Sequence, residues 1–591
     1  YFNQKNDRFV WTEYSLDARW NNLNYSDIFL FDLNKNKKEK ITEKGRYFSP
    51  IISEDGKKII AIFIDKIQNC SIISIDIDSK KETILLTFEP ETYIFRPTFL
   101  GDDTKIAFIK KFKSKLSINT LDFKSSEVKE LTSPTSHLID NLSYNQNYIY
   151  FNGSYNGVDN IYRCNINEKD KIQQVTTVAV AAQAPSINHT GDKLIFANYT
   201  YKGFQIVKVN LRDLDTLADA PIIEPKDLEW MDKVSAISEG GNILDKLPSV
   251  QYKAKKYGGI FKGLKLHSWT PLIFDPNNPG LNLQMNNILD DASISIGASY
   301  NLIENGLKYG AGLRMAKYYP VFDLQVTRQD RQAEFLTSSD TIAKIKFNEF
   351  NASGSVSLPL KWVSGNYRKS LVLVLGIDQK LLSNRKFPNL PLSDLNQTIA
   401  RTGLIYSNRR NRALQNLKPR YGLDFQAFYQ VSLDKIRDEK FSTSSNIFLP
   451  GVNKNHSLNL SASYQKELLT NTYQLADVFQ YAKGYSAPTN DEVYTLSLNY
   501  SLPLFYPEVG IRGLSFFKRV KMNLFYDHGH YTFIESKRSE SMKSVGTELI
   551  FDNIMYNISP ISYGLRYSYR LDNTINEKKG GNFNFYLALD F

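Results

Sequence analysis

The sequence ISYGLRYSYRL at residues 561–571 alternates strictly between two kinds of side chain. Isoleucine, tyrosine and leucine take its odd-numbered positions, whereas serine, glycine and arginine take the even-numbered ones. The segment NFNFYLALDF at residues 582–591 alternates in the same way and places Phe583, Phe585, Leu587, Leu589 and Phe591 on one face. Successive residues of a β-strand point to opposite faces of the sheet. A sheet with lipid on one side and a polar lumen on the other requires this pattern, so it predicts a transmembrane β-barrel.

The alternation extends back along the chain to about Pro279, for example in the stripe from Tyr494 to Leu504. Counting such segments predicts about 16 antiparallel strands over residues 279–591, with about 14 as the alternative, and single-chain outer-membrane barrels require an even number. The sequence has no uncharged apolar run of about 18 residues, so we do not expect a membrane-spanning helix.

The last residue of the chain is an aromatic one that ends an alternating strand. Phe591, with Leu589 and Leu587 on the same face, resembles the C-terminal signal by which outer-membrane barrels are recognised for insertion. We also expect this strand to close the barrel against the first strand.

A different periodicity occupies the first third of the sequence. SPIISEDGKKIIAIF, RPTFLGDDTKIAFIK, DNLSYNQNYIYFNG and APSINHTGDKLIFANY, beginning at residues 49, 96, 140 and 184, each indicate strand, polar turn and strand. Their equivalent positions, Pro50, Pro97, Asn141 and Pro185, are 47, 44 and 44 residues apart. That period is typical of a four-stranded propeller blade. With a partial unit before Pro50, five repeats predict a β-propeller over residues 1–217.

The turns of these repeats have suitable chemistry for tight strand reversal. Ser53, Asp55 and Gly56 in one repeat, and Gly191 and Asp192 in another, combine a carboxylate that bonds nearby amides with a glycine for positive φ. The turn at residues 53–57 resembles the Ser-Pro-Asp-Gly-Lys-like turn of the TolB-type propeller family. This resemblance covers about residues 1–217 and implies a protein-docking domain. Because such rings commonly have about six to eight blades, we expect further blade strands, or a whole further domain, ahead of residue 1.

Residues 218–278 break both patterns with five prolines and two Gly-Gly pairs, which predicts a linker between the domains. Its basic, aromatic end, YKAKKYGGIFKGLKLHSW at residues 252–269, is interpreted as the lead-in to the barrel. A segment that lies on the membrane surface is the alternative.

Three short motifs follow one another in the barrel. Ala482-Lys483-Gly484-Tyr485 precedes a strand, Phe525-Tyr526-Asp527-His528-Gly529 lies two strands later, and Ser544-Val545-Gly546 opens the next strand. This order, with five strands after the first motif, resembles the BamA/TamA outer-membrane assembly family over about residues 260–591.

The resemblance to that family implies that the loop folds back into the lumen, where its basic residue contacts the acidic residue of the Phe-x-Asp-x-Gly strand. We therefore expect a direct ion pair between Lys483 and Asp527, with Tyr485 in the loop, Phe525 on the strand and Gly529 leaving room for the loop. Where that family usually has arginine, this chain has a lysine, which pairs with a carboxylate but makes no bidentate fork.

Composition narrows the class of protein further. The formal net charge is +11, and most of the excess follows residue 217 without the aromatic-basic interleaving of a nucleic-acid site, so we expect contact with anionic lipid. None of the six histidines belongs to a His-Glu-x-x-His motif, and no Gly-x-Ser-x-Gly or phosphate-binding loop occurs. His528 and His530 are interpreted as interfacial side chains, with a metal pair as the alternative. Cys70 and Cys164 fall in equivalent strands of non-adjacent repeats, which argues against a disulfide.

These observations predict an all-β, non-enzymatic protein of a Gram-negative outer membrane, without cofactor or metal. Its periplasmic propeller would bind periplasmic or outer-membrane proteins, and its barrel would act in outer-membrane protein assembly, in translocation or within a larger complex. A membrane mount for a catalytic domain upstream, for example a peptidase, is one alternative, and a passive channel is another. With the propeller in the periplasm, we expect the loop at residues 409–412 on the outer side.

Overall fold

The computed structural model describes residues 2–20, 22–211, 262–272, 277–336, 342–387, 390–391, 393–434, 438–468, 481–486, 492–533, 538–556, 559–574 and 577–589, with 219, 234, 237, 253 and 259. The chain divides into two units, Tyr1–Asp17 with Asn21–Tyr252 and Ala18–Trp20 with Lys253–Phe591. Within the residues described, no helix is long and apolar enough to cross a membrane.

The first unit contains five antiparallel sheets whose strands pair in chain order. Blade one has β1 (Phe2–Lys5), β2 (Arg8–Leu16), β3 (Asn24–Asp32) and β4 (Lys37–Lys40). Blade two has β5 (Tyr47–Ile52), β6 (Lys58–Ile64), β7 (Cys70–Asp76) and β8 (Glu82–Thr87). Blade three has β9 (Thr92–Phe99), β10 (Lys105–Phe112), β11 (Lys115–Asp122) and β12 (Val128–Glu130). Blade four has β13 (Ile139–Asn145), β14 (Tyr148–Gly153), β15 (Asn160–Asn165) and β16 (Ile172–Gln174). Blade five has β17 (Ala181–Ile187), β18 (Lys193–Thr200) and β19 (Gly203–Asn210), so the predicted five propeller repeats are confirmed.

Neighbouring blades are held together by buried aliphatic and aromatic side chains. Ile28 of blade one packs with Ile59 of blade two, and three further clusters join blades two and three, three and four, and four and five. In the described part of the chain no such cluster joins blade five to blade one. Five blades therefore share four internal interfaces.

The positions that set the repeat register lie at β-bulges in the first strand of a blade. Ser49, Arg96 and Ala184, each directly before a proline, have φ of 46°, 54° and 53°, and Asn141 has φ 54°. The ladder between the first and second strand shifts register at each of these four places. Proline within a sheet is confined to edges and bulges, because it has no N–H to donate. The repeated proline therefore marks the bulge.

A buried threonine also recurs after the fourth strand. The hydroxyls of Thr42, Thr132 and Thr176 accept hydrogen bonds of 2.9 Å from backbone N–H groups of the third strand, at residues 28, 118 and 161. Each bond satisfies a buried donor that would otherwise be costly to leave unpaired. These threonines were not predicted from the sequence.

The second unit is one antiparallel sheet in which consecutive strands pair. Its strands are β20 (Lys265–Leu272), β21 (Gly280–Asn286), β22 (Ala292–Asn301), β23 (Gly306–Met315), β24 (Val321–Leu336), β25 (Ile342–Ser364), β26 (Tyr367–Phe387), β27 (Leu390–Pro391), β28 (Leu395–Arg410), β29 (Gly422–Ser432), β30 (Glu439–Pro450), β31 (Ser457–Leu468), β32 (Glu492–Phe505), β33 (Val509–Ile511), β34 (Ser515–Phe533), β35 (Arg538–Met555), β36 (Ser559–Arg570) and β37 (Gly580–Leu589). Apart from β27 and β33, of two and three residues, sixteen long strands are described. The total agrees with the predicted number of about 16, but fifteen of these strands lie within residues 279–591 and the sixteenth, β20, precedes that range.

The sheet is apolar outside and polar inside. Leu375, Leu496 and Phe585 are 63%, 51% and 66% exposed, whereas the lumen-facing charged residues Asp527 and Glu548 are buried. A polar cavity of about 480 Å³ is lined by strands from β29 to β37, so the sheet curls around a lumen. The predicted β-barrel is therefore confirmed. In the described residues, pairing runs from β20 to β37 without a ladder joining these two, so the predicted closure of the last strand on the first is not seen there.

The structure differs from the sequence-based predictions in the extent of the linker and in the side of one connection. The segment predicted as linker, 218–278, contains the first strand, β20, which pairs with β21. A bulge between Leu266 and Ser268 interrupts its alternation, and this explains why the period-two pattern did not reveal the strand. An additional first strand changes the side of every later connection. The connection after Arg410 joins the eighth and ninth long strands and therefore lies on the rim where the chain enters and leaves the sheet, opposite to our prediction.

Candidate functional site

The loop at residues 481–486, just before β32, lies against the lumen side of β34. Nζ of Lys483 is 3.3 Å from both carboxylate oxygens of Asp527, and the backbone N–H of Lys483 donates to Oδ2 of the same carboxylate at 3.0 Å. The two side chains are only 12% and 4% exposed. The structure thus brings together two residues 44 positions apart, and each charge neutralises the other in a site where neither is well hydrated.

Neighbouring side chains complete the surroundings of this ion pair. Nζ of Lys483 is 4.4 Å from the ring centroid of Phe525 and 3.3 Å from Oδ1 of Asn499. The hydroxyl of Ser497 donates to Asp527. Asn499 and Ser497 were not predicted from the sequence. Their one available signal was that they alternate with leucines on β32 and so face the lumen.

Gly484 allows the loop to approach β36 closely. Its φ of +92° lies in the left-handed region, and a Cβ at this position would be 2.9 Å from Cβ of Ser568. Both conditions disfavour any residue with a side chain. The glycine therefore sets how deeply the loop sits against the wall.

Tyr485 and Ser486 fasten the end of the loop to the connection after β36. The hydroxyl of Tyr485 is 3.0 Å from the carbonyl oxygen of Lys543 and 2.9 Å from that of Asp572, and it accepts from the N–H of Asp572 at 3.1 Å. The N–H of Ser486 donates to Glu577 at 2.8 Å. Hydrogen bonds thus hold the loop to four of the last five long strands, β32, β34, β35 and β36.

The glycines of the two strand motifs make room for aromatic rings, whereas we predicted that Gly529 leaves room for the loop. A Cβ at Gly529 would collide with the ring of Tyr531, so the room there is taken by Tyr531, which stacks on Tyr481 of the loop at 5.8 Å between centroids. A Cβ at Gly546 would lie 2.5 Å from Phe525, so Gly546 makes room for the ring beside Lys483. Gly546 lies in the middle of β35, which begins at Arg538, and so it does not open the strand.

The turn residues of the propeller stabilise their own hairpins. Ser53 donates to Asp55 at 2.6 Å, which lowers the pKa of that carboxyl, and Gly56 has φ +69°. Asp192 accepts from the side chains of Asn188 and Thr190, and these bonds lower its pKa to about 2.

The other residues predicted from the sequence to be of interest are strand or core residues, or lie outside the described part of the chain. Phe591 is outside the described residues, and Leu587 and Leu589 belong to β37, where they pair with Tyr563 and Ile561. Cys70 and Cys164 are free and buried in the third strands of blades two and four, and burial raises the pKa of the Cys164 thiol to about 12. Of the residues described, no three His, Cys, Asp or Glu side chains converge as a metal site.

Comparison with known proteins yields similarity of fold at low scores. No protein-family model and no curated protein matches the chain. TolB from Acinetobacter baumannii is 15% identical over 35% of this chain and 51% of its own, with a TM-score of 0.31. BamA from Haemophilus ducreyi lacking POTRA domains 1-3 is 14% identical over 52% of this chain and 66% of its own, with a TM-score of 0.37. CdiB from Escherichia coli is 14% identical over 53% and 59%, with a TM-score of 0.38. The chain spans about half the length of that TolB structure, and the fold assignment rests on the strand pairing described above.

Proposed function

We propose that this chain is an outer-membrane protein of the BamA/TamA type, in which the loop at 481–486 is locked inside the barrel and the propeller docks periplasmic proteins. The observation that carries the proposal is the reversed polarity of the second unit. Its apolar residues face outwards and its charged residues face the lumen.

In water this arrangement would be unfavourable. Contiguous apolar patches of more than a few hundred Å² are rare on soluble monomers. Here large apolar side chains are exposed on strands distributed along the sheet, including Leu324, Leu375, Leu496 and Phe585. A bilayer removes this surface from water, and an antiparallel barrel with paired backbone groups is one of the two structures that can span it. Sixteen long strands fit the even numbers of outer-membrane barrels.

The locked loop favours an assembly or translocation role over that of an open pore. A loop bonded to β34, β35 and the connection after β36 occupies lumen space that a passive channel would leave free. Lys483 carries the same positive charge as the arginine that is usual in the assembly family, but it cannot form the two parallel hydrogen bonds of a guanidinium group. The propeller offers blade surfaces for partners, as propellers of many proteins do.

The membrane part of the proposal is tested by fractionation and heat-modifiable migration. The full chain should sediment with outer membranes and migrate faster unheated than boiled, because a barrel resists detergent unfolding. Recovery in the soluble fraction without a heat shift would refute the membrane location.

The assembly part is tested with Lys483→Ala in cells. The variant should lower the abundance of other outer-membrane barrels, whereas Lys454→Ala, an exposed lysine in the connection after β30, should leave it unchanged. Unchanged abundance in the Lys483→Ala cells, with the chain present at normal level, would count against an assembly role.

Docking is tested by site-specific photocrosslinking in cells. A probe at Tyr201 on blade five, which is highly exposed, should yield adducts with periplasmic proteins, and a probe at the exposed Ile303 in the barrel should not. Adducts from Ile303 alone would contradict the docking role of the propeller.

A further inference from the structure

We infer that Asn499 is the positioning residue that makes the Lys483–Asp527 site specific for a lysine, so that Lys483 and Asn499 together replace the arginine that is usual in the family the sequence resembles. This inference rests on the proposed membrane barrel with its lumen loop. It goes further by assigning the lysine specificity of the site to one side chain on β32.

Three oxygen acceptors surround the ammonium group of Lys483, as many as it has N–H donors. Nζ of Lys483 is 3.3 Å from Oδ1 and Oδ2 of Asp527 and 3.3 Å from Oδ1 of Asn499. A lysine ammonium has three N–H donors and no acceptor. Asp527 alone would leave it one oxygen short, and Asn499 supplies the third.

The amide of Asn499 is held in the orientation that presents its oxygen. Its Nδ2 donates to Oγ of Ser497 at 2.9 Å, and its Oδ1 accepts from Nδ2 of Asn523 at 2.9 Å. A flipped amide would point N–H donors at both Lys483 and Asn523. Ser497 in turn donates to Asp527, so the same network also orients the carboxylate.

The network is anchored beyond the lock. Nδ2 of Asn523 also donates to Oε2 of Glu548 at 2.7 Å, and Glu548 accepts from Nε of Arg566 at 2.6 Å. Asn523 and Glu548 are buried, so few waters compete for these bonds. The acceptor at Asn499 is therefore preorganised by three neighbouring strands, β34, β35 and β36.

An arginine would use this site differently. Its planar guanidinium forms two parallel bonds to a carboxylate, for which Asp527 suffices. It is also larger than an ammonium group, and the third acceptor position is already filled by the Asn499 side chain. Asn499 should therefore stabilise the bound loop when residue 483 is lysine and destabilise it when residue 483 is arginine.

The test is whether replacing Asn499 has opposite effects on loop opening in the lysine and arginine backgrounds. Ala482→Cys, at a buried position of the loop, reports loop opening through its labelling rate with a membrane-impermeant maleimide in cells producing the full chain. The two native cysteines are buried in the propeller, so they contribute little. Asn499→Ser should raise the rate about tenfold, as expected for the loss of a hydrogen bond to a charged group. Lys483→Arg should also raise it, and adding Asn499→Ser to Lys483→Arg should bring the rate back towards that of the parent.

Two further variants serve as controls. Asn459→Ser changes a lumen asparagine that pairs with Asn499 across the ladder but donates to Ser461, and it should leave the rate unchanged. Asn499→Thr likewise removes the amide oxygen and suits a β-strand, so it repeats the test in the lysine and arginine backgrounds if Asn499→Ser fails to assemble.

The outcomes separate this inference from the proposed function. Loss of the heat shift in the parent chain would refute the membrane barrel itself. With the heat shift intact, an equal effect of Asn499→Ser in the lysine and arginine backgrounds would overturn the inference, because a merely structural role of Asn499 predicts the same loss in both.

Discussion

Replacing Lys483 by alanine should destabilise the folded barrel by about 3 kcal/mol. The change leaves the carboxylate of Asp527, 4% exposed, without its cation. Removing one partner of a buried pair typically costs about 3–5 kcal/mol. The backbone N–H of residue 483 and the hydroxyl of Ser497 remain as donors to the carboxylate, so the lower end applies. At about 1.4 kcal/mol per factor of ten, the loop would be released about 100-fold more often.

The assay is urea unfolding of the full chain in detergent micelles, read from the fraction that keeps the fast-migrating form. If the cost arises from a stranded charge, the double variant Lys483→Ala with Asp527→Asn should be more stable than Lys483→Ala alone. Exchanging the two charges should also recover part of the loss. A single variant within about 0.5 kcal/mol of the parent, as expected for surface substitutions, or a double variant with the summed losses, would refute the reasoning.

Three further predictions concern the propeller and the topology. Thr132→Val leaves a buried N–H unpaired and should lower the stability of its blade by about 1–3 kcal/mol in native-state hydrogen exchange, whereas Thr120→Val, at a more exposed hydroxyl, should change little. Because the pKa of Asp192 is lowered to about 2, its carboxylate stabilises the folded turn above the unfolded pKa of about 4 and loses this effect as the pH falls towards 2. The ratio of pepsin cleavage in the β17–β18 hairpin of the parent to that of Asp192→Asn, which cancels the pH dependence of the protease, should therefore rise over that range. Strand order places Ile303 and Val452 on opposite rims of the sheet. A membrane-impermeant maleimide should therefore label a cysteine at position 303 in intact cells, and one at position 452 only after permeabilisation. Labelling of both positions in intact cells would contradict this topology.

The sequence predicts the fold wherever one periodicity runs without interruption. The stripes at Tyr494 to Leu504 and at residues 561–571 lie in β32 and β36, because side-chain alternation follows directly from the geometry of a strand. β20 escapes such reasoning, since a bulge shifts its faces within eight residues. The error in the rim of the 409–412 connection follows from that single missing strand.

The site could be predicted only in part, and the reason is physical. Lys483 and Asp527 are charged residues facing a lumen, and each needs a partner, so an ordered set of motifs is enough to propose the pair. Asn499 is a neutral residue among many serines and asparagines on the lumen side. Its role depends on ladder register and amide orientation, which no local pattern in the sequence encodes. The use of Gly529 by Tyr531 was missed for the same reason.

The four interfaces shared by the five blades have a consequence for how the first unit responds to force or damage. Blades that contact only their neighbours behave as a one-dimensional array, whose stability is a sum of individual and nearest-neighbour contributions. A terminal blade has a single neighbour in the described part of the chain, so it can open while three interfaces persist. A defect between blades two and three instead divides the array into two short pieces. Among the five described blades, cooperativity is therefore strongest at the inner interfaces and weakest at the two outermost blades.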